Sequence, residues 1–135
     1  MKPRLHILLA EDNPGDVVLI KEALSSNNLA YSLRTAEDGE RALELIEEAE
    51  AGNLKLDLVL LDLNLPKISG DQVLARIRGS RQLGSLPVII VTSSDSPRDR
   101  ARTAALGVDY YFRKPSDFEE FLTLGNVVEQ VCASA

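Results

Sequence analysis

The residue that most directly suggests chemistry is Asp62, a carboxylate that ends an aliphatic run. The run, residues 56–61, reads LDLVLL, which is typical of a strand covered on both faces. The turn-forming segment NLPKISG follows at residues 64–70, so the carboxylate stays at the carboxyl end of that strand. Ligands bind at this edge of open α/β sheets. We therefore predict that Asp62 is a nucleophile for a phosphoryl group.

Two neighbouring acids, Glu11 and Asp12, follow the first strand-like run. On their own they would be N-terminal charges that favour a helix beginning at Pro14. If Asp62 shares their edge of the sheet, the carboxylates repel by roughly a few kcal/mol per pair, and a cation is expected among them. Oxygen ligands beside a phosphoryl site favour Mg²⁺, with Mn²⁺ as a substitute.

Lys114 follows the fifth strand-like run and would bring a second cation to this edge. A lysine before a loop proline is most often only solvated, but here its ammonium could reach Asp62 or a phosphoryl oxygen. Thr92 could simply finish the fourth strand, or could donate a hydrogen bond to a phosphoryl oxygen. Tyr111 is more often a core residue than a functional one, and Tyr110 should point to the opposite side.

Five strand-like runs, each followed by a segment with helical spacing, must position these residues. This alternation, with short connections, favours an α/β fold: a (βα)5 doubly wound, five-stranded parallel sheet of flavodoxin-like topology. We expect residues 1–135 to form a single domain. The strand-like runs are 5–10, 31–36, 56–61, 87–92 and 108–112.

The starts of the helices carry capping signals. An N-cap followed by proline occurs at Asn13 and again at Ser96. Capping boxes are expected at Ser69 and Ser116, and the second helix is expected to begin near Asp38. We expect the second helix to face the sheet with Leu43, Ile46 and Ala49, and the fourth with Ala101, Ala104 and Ala105.

The last helix has more apolar surface than docking on a sheet requires. One face carries Phe118, Phe121, Leu122, Gly125 and Val128, and a second stripe carries Leu124, Val127 and Val131. Either the helix is deeply set, or the second stripe is a surface for self-association. Gly125 costs roughly 1 kcal/mol relative to alanine, which weakens the case for one unbroken helix.

Composition excludes several classes of function. The formal net charge of −6 and pI of about 4.8 argue against nucleic acid or an anionic membrane as the main partner. The one cysteine, Cys132, cannot form an internal disulfide and agrees with a cytoplasmic location. No apolar stretch approaches the roughly 20 residues that a membrane helix needs.

Taken in order, these residues resemble the receiver domain of bacterial two-component response regulators. The resemblance rests on Glu11-Asp12, Asp62 within DLNLPKISG, Thr92-Ser93, Tyr111 and Lys114-Pro115, and it covers nearly the whole chain. Many receivers have aspartate where this chain has Glu11, a change that keeps the charge. The EDNPGD opening and the absence of an output domain are similar to stand-alone receivers that partner phytochrome kinases.

The resemblance implies a mechanism. Glu11, Asp12, Asp62 and the backbone carbonyl of Asn64 would hold Mg²⁺. Asp62 would attack the phosphorus of a phosphohistidine on a sensor histidine kinase, which the narrower resemblance implies is of the phytochrome type, while the metal and Lys114 neutralise charge. The substrate is the protein itself, so we do not expect an enzyme in the usual sense.

The resemblance also implies a switch. The phosphoryl group would draw the Thr92 hydroxyl inward, and Tyr111 would rotate into the vacated space. The surface of the fourth helix, fifth strand and fifth helix would then change for an unknown downstream protein or for a homodimer through the C-terminal helix. The family places a cis peptide bond before Pro115.

Three alternatives share parts of this pattern. A flavodoxin-like electron carrier would need a phosphate-binding first loop, but two carboxylates there would repel the phosphate of FMN. A haloacid-dehalogenase-type phosphatase would need a second aspartate where Asn64 stands, and turnover of small phosphate esters would favour it. A receiver that only binds partners would be expected to lack Asp62, Thr92 or Lys114, and all three are present.

Overall fold

A five-stranded parallel sheet lies at the centre of residues 4–134, the part of the chain that this computed structural model describes. The strand order is β2-β1-β3-β4-β5, so the chain reverses its direction of winding after β2. This arrangement confirms the predicted doubly wound α/β fold. The strands are β1 (Leu5–Ala10), β2 (Tyr31–Ala36), β3 (Leu58–Leu61), β4 (Val88–Thr92) and β5 (Tyr110–Arg113).

Helices cover both faces of the sheet and begin at capping side chains. The side chains of Asn13, Asp38 and Ser96 each accept a hydrogen bond from a backbone N–H of the first turn, and the Gln72 side chain accepts one from the N–H of Ser69. These bonds satisfy donors that have no partner within the helix. The helices are α1 (Pro14–Ser26), α2 (Gly39–Glu50), α3 (Gly70–Arg78), α4 (Pro97–Ala105), α5 (Phe118–Leu122) and α6 (Leu124–Ser134).

Two apolar cores lie on opposite faces of the sheet. One core joins the sheet to α2 and α3, with Leu45 and Leu74 among its fully buried side chains. The other joins it to α1, α5 and α6, with Ile20, Phe121 and Val128 buried. Burial on both faces explains why the central strands read as continuous aliphatic runs.

Strands β3 and β5 begin two residues later than predicted. In each case an aspartate carboxylate replaces a backbone carbonyl at the first rung of the ladder. Asp57 accepts a hydrogen bond from the N–H of His6 at 2.8 Å, and Asp109 accepts one from the N–H of Val88 at 2.8 Å. The N–H groups of Asp57 and Asp109 still donate to carbonyls of the neighbouring strands, but a side chain makes the return bond, so the regular ladder starts later.

The last helix is broken, and its start was predicted one residue too early. Asp117, rather than Ser116, caps the helix by accepting a hydrogen bond from the N–H of Glu120. The break comes at Thr123, where the side-chain hydroxyl donates a hydrogen bond to the carbonyl of Glu120, one turn earlier in α5. Gly125 then brings α6 against the backbone of α1, where a methyl group would meet the Ala23 carbonyl.

The faces of two helices also differ from expectation. In α2 the fully buried large residues are Leu45 and Ile46, whereas Leu43 and Ala49 are half-buried. In α4 the three alanines expected to face the sheet are exposed, and Thr103 is the buried residue. The α4 sequence has no wide apolar face, so a single buried position sets its orientation.

The second apolar stripe of the last helix is largely buried within the chain. Leu124 and Val127 are buried in the core beside α1, while Val131 is half-buried. The deeply set arrangement therefore accounts for most of this stripe. The exposed apolar residue is instead Phe118 of the first face, at the start of α5, with 51% of its surface exposed.

The expected cis peptide bond before Pro115 is not found. Residues 4–134 contain no cis peptide bond, so this expectation from the family resemblance is wrong for the structure. In the same range, no helix is both long and apolar enough to cross a membrane.

Candidate functional site

The carboxyl ends of four consecutive strands, β1, β3, β4 and β5, place the predicted residues at one edge of the sheet. The backbone N–H of Glu11 donates to the carbonyl of Ala36 in β2, and that of Asp62 donates to Ala10 in β1. On the other side of the site, the N–H of Lys114 donates to Thr92 at the end of β4 at 2.7 Å. These bonds continue the ladders past the strands, so the site residues sit on rigid backbone rather than on free loops.

The Lys114 ammonium is the centre of the site. Its Nζ lies 2.7 Å from Glu11 Oε1, 2.7 Å from Asp16 Oδ2 and 3.1 Å from Asp62 Oδ2. The Lys114 side chain is 9% exposed, and those of Glu11 and Asp62 are 1% and 7% exposed. A buried lysine that meets three carboxylates forms charge-assisted hydrogen bonds with all of them.

Asp16 is the member of this group that the sequence analysis missed. It lies in the first turn of α1, four residues after Asp12, which is the spacing of one helical turn. An acid at that position has an ordinary explanation as a favourable charge near a helix N-terminus. Nothing in the sequence pattern alone indicates its contact with Lys114.

Three carboxylates could hold a metal ion at this edge. Glu11, Asp12 and Asp62 each offer an oxygen, and these oxygens lie within 4.8 Å of one another. Asp12 is exposed whereas the other two are buried, so one side of the cluster opens to solvent. Hard oxygen donors with an open side fit a divalent cation that keeps some of its waters.

Asn64 lies next to this cluster through its backbone. Its N–H donates to Asp62 Oδ1 at 3.1 Å, which fixes one oxygen of the carboxylate while Lys114 binds the other. The predicted metal contact of the Asn64 carbonyl stays a prediction.

The site shifts the pKa values of its own groups. Burial, together with repulsion from Asp62, raises the pKa of Glu11 to about 7, although its hydrogen bond to Lys114 acts in the opposite direction. Burial on its own would lower the pKa of Lys114, but hydrogen bonds to Asp16 and Glu11 and the charge of Asp62 raise it above its usual range. Lys114 is therefore charged at neutral pH, and the acids compete for it.

Thr92 and Tyr111 are connected through one residue, Ser94. Thr92 is fully buried, and its Oγ1 accepts a hydrogen bond from the N–H of Ser94 at 3.4 Å. The Tyr111 hydroxyl donates to the Ser94 carbonyl at 2.9 Å, and the Arg100 guanidinium lies 4.4 Å from the centre of the Tyr111 ring. Tyr110 points away and is exposed, as strand alternation predicted.

A family model described as the response regulator receiver domain matches residues 7–125. The chain belongs to this family. The receiver domain is 36% identical over 126 residues to the probable methanogenesis regulatory protein FilR2 of Methanothrix harundinacea, which covers 93% of this chain and 79% of that protein. It is 32% identical to the response regulator Rcp1 of Synechocystis, with 94% and 88% of the two chains covered.

Solved structures of phytochrome-associated regulators are similar to this receiver domain. The phosphorylated cyanobacterial phytochrome response regulator RcpA matches it with a TM-score of 0.89 at 31% identity, over 98% of this chain and 97% of RcpA. The Mn²⁺-bound form of Rcp1 matches with a TM-score of 0.83 at 30% identity, over 93% and 92% of the chains. The family prediction is thus confirmed, and the receiver domain is a phosphoacceptor of two-component signal transduction.

Proposed function

We propose that Asp62 accepts the phosphoryl group and that Lys114 stabilises it there. The observation that carries the proposal is the contact of 3.1 Å between the Lys114 ammonium and Asp62, two residues 52 positions apart that are both buried at the carboxyl edge of the sheet. Buried charged groups gathered in this way are typical of functional sites, and here the ammonium can stabilise negative charge on a phosphoryl group.

The proposed reaction is a transfer from a phosphohistidine of a sensor histidine kinase. An Asp62 carboxylate oxygen attacks the phosphorus, the new P–O bond forms, and the P–N bond breaks with its electron pair going to the imidazole. The Lys114 ammonium offsets the charge on the phosphoryl oxygens. Glu11, Asp12, Asp62 and the Asn64 carbonyl would hold Mg²⁺, or Mn²⁺ in its place, which when bound supplies further charge neutralisation.

We propose Thr92 and Tyr111 as the residues that report phosphorylation to the surface. The hydroxyl of Thr92 lies at the end of β4, and both residues contact Ser94 in the loop that leads into α4. A movement of Thr92 toward a phosphoryl group would therefore change the same loop that Tyr111 holds. The surface of α4, β5 and the last helices would shift between two packings.

The partners follow from this role. We propose a sensor histidine kinase as phosphoryl donor, and the phytochrome response regulators among the similar structures favour a phytochrome-type kinase. The downstream partner is a protein that remains to be identified, with neither nucleic acid nor membrane as a target, and the cytoplasm is the proposed location. The protein catalyses only its own phosphorylation and dephosphorylation, so we do not class it as an enzyme.

We also propose that the protein forms a homodimer through its C-terminal helical region. The support is the exposed side chain of Phe118 at the start of α5, and Tyr110 at the start of β5 is exposed as well. Exposed aromatic side chains of this kind are enriched in protein interfaces.

Intact-mass analysis after incubation with acetyl phosphate and Mg²⁺ tests the role of Asp62. The wild type should gain one phosphoryl group, Asp62→Asn should gain none, and a chelator should abolish the gain. Asp38→Asn is the matched control, because Asp38 follows the neighbouring strand β2 and asparagine caps a helix about as well as aspartate. Phosphorylation of Asp62→Asn, or none of the wild type with several donors and a kinase, would overturn the proposal.

A further inference from the structure

The donor capacity of Lys114 is fully used in the structure. An ammonium group has three N–H donors and no acceptor. Glu11, Asp16 and Asp62 provide one carboxylate oxygen each within hydrogen-bond distance. The contact with Asp62 is the longest of the three, at 3.1 Å against 2.7 Å for the other two.

A phosphoryl group on Asp62 would bring new acceptors to this ammonium. Phosphoryl oxygens are strong acceptors that carry up to about two negative charges. The donor that contacts Asp62 can turn to one phosphoryl oxygen, but Lys114 has no free donor for a second and must release another carboxylate to bind it. Asp16 is the partner most easily released, since its side chain is 24% exposed whereas that of Glu11 is 1% exposed. Water can solvate a released carboxylate only where solvent reaches it.

We propose that Asp16 is a positioning residue that competes with the phosphoryl group for Lys114. In the resting protein it draws the ammonium toward the first turn of α1, and this contact must break before Lys114 can bind a second phosphoryl oxygen. Asp16 thereby lowers the affinity of the site for a phosphoryl-like group. The inference rests on the proposed role of Asp62 as acceptor, and it adds a residue outside the Glu11, Asp12 and Asp62 cluster.

A purely structural role for Asp16 makes a different prediction. An acid in the first turn stabilises a helix through its charge. If that were its whole contribution, removing the charge would lower the stability of the fold. The affinities for all ligands of the site would then fall together or stay unchanged. Competition for Lys114 instead predicts shifts of opposite sign for a phosphoryl analogue and for the metal.

The test measures beryllofluoride and Mg²⁺ binding to wild-type protein, Asp16→Asn and Asp16→Ser. With Mg²⁺ saturating, beryllofluoride should bind both variants about three- to tenfold more tightly, because a charged competitor for Lys114 is lost. Without beryllofluoride, Mg²⁺ should bind about two- to fivefold more weakly, because the site loses a negative charge and Lys114 turns to the remaining acids. Asp16→Glu should stay close to wild type.

Glu22→Gln is the matched control for net charge, since Glu22 is an exposed acid farther along α1. It should leave both affinities unchanged. Equal or weaker beryllofluoride binding by the two Asp16 variants would overturn the inference while leaving the proposed function intact. If wild-type protein itself fails to bind beryllofluoride, the role of Asp62 fails and the inference fails with it.

Discussion

Lys114 and the acids around it show how strongly one cation governs this site. Three carboxylates that meet in a buried place would repel one another, and the ammonium offsets that repulsion. The balance is incomplete, because the pKa of Glu11 stays raised to about 7. A metal-free site therefore holds a proton on Glu11 through much of the acidic range.

Stability of the metal-free protein should fall as the pH rises from about 5 to 8. The pKa of Glu11 is raised from 4.5 to about 7 in the folded protein, so folding favours the protonated form. This contribution is fully present below 4.5 and is lost as the pH passes through 7, and its size is on the order of 1–3 kcal/mol. Urea unfolding at a series of pH values measures it.

Glu11→Gln isolates the effect, since it removes the titrating group and keeps the side chain's length. The difference in unfolding free energy between wild type and Glu11→Gln should change across this range without metal. Saturating Mg²⁺ should diminish the change, because the metal favours the ionised carboxylate. Parallel pH profiles for the two proteins without metal would refute the assignment.

At the scale of elements, α6 is set by a close approach to α1. Gly125 lies where an added Cβ would come 2.4 Å from the Ala23 carbonyl oxygen. Apart from this contact, Asn27 donates a hydrogen bond from its side chain to the Gly125 carbonyl. The glycine that weakens the helix in isolation is therefore what allows the two helices to pack.

Gly125→Ala should destabilise the protein by about 1–3 kcal/mol, as expected for overpacking against backbone. The loss should outweigh the gain of about 1 kcal/mol in helix propensity. Gly79→Ala is the control, because the nearest atom to its added Cβ is 3.5 Å away and its φ is −81°. That change should be neutral or slightly stabilising in urea unfolding, and a neutral Gly125→Ala would contradict the packing argument.

At the scale of the whole molecule, the acids and Lys114 gather at the carboxyl edge of the sheet, and the proposed switch surface includes α4 and β5. The loop after β4 lies between the buried end of that strand and α4. The bonds of Thr92 and Tyr111 to Ser94 provide a physical connection.

Sedimentation velocity over a range of concentrations tests the homodimer. The wild type should form a concentration-dependent dimer in at least one of two conditions, with beryllofluoride or without it. Phe118→Lys should be monomeric in both conditions, because a dimer interface would bury the lysine charge without a partner. Val18→Lys is the control, since Val18 is an exposed apolar residue on α1, 58% exposed. It should dimerise as wild type does. A monomeric wild type in both conditions would refute the proposal.

The sequence by itself determined the fold class and the gathering of Glu11, Asp12, Asp62 and Lys114. The reason is that parallel strands place their carboxyl ends at one edge, so polar residues that follow successive strands must meet there. Their distance apart in the chain does not matter once the alternation of strands and helices is recognised.

Tertiary structure alone decided how each helix is rotated on the sheet. That rotation brings Asp16 to Lys114, turns Thr103 rather than the alanines of α4 inward, and seats Gly125 on α1. Local patterns leave these outcomes open, because an acid in a first turn or a helix rich in alanine fits several orientations. Packing against neighbouring elements selects one of them.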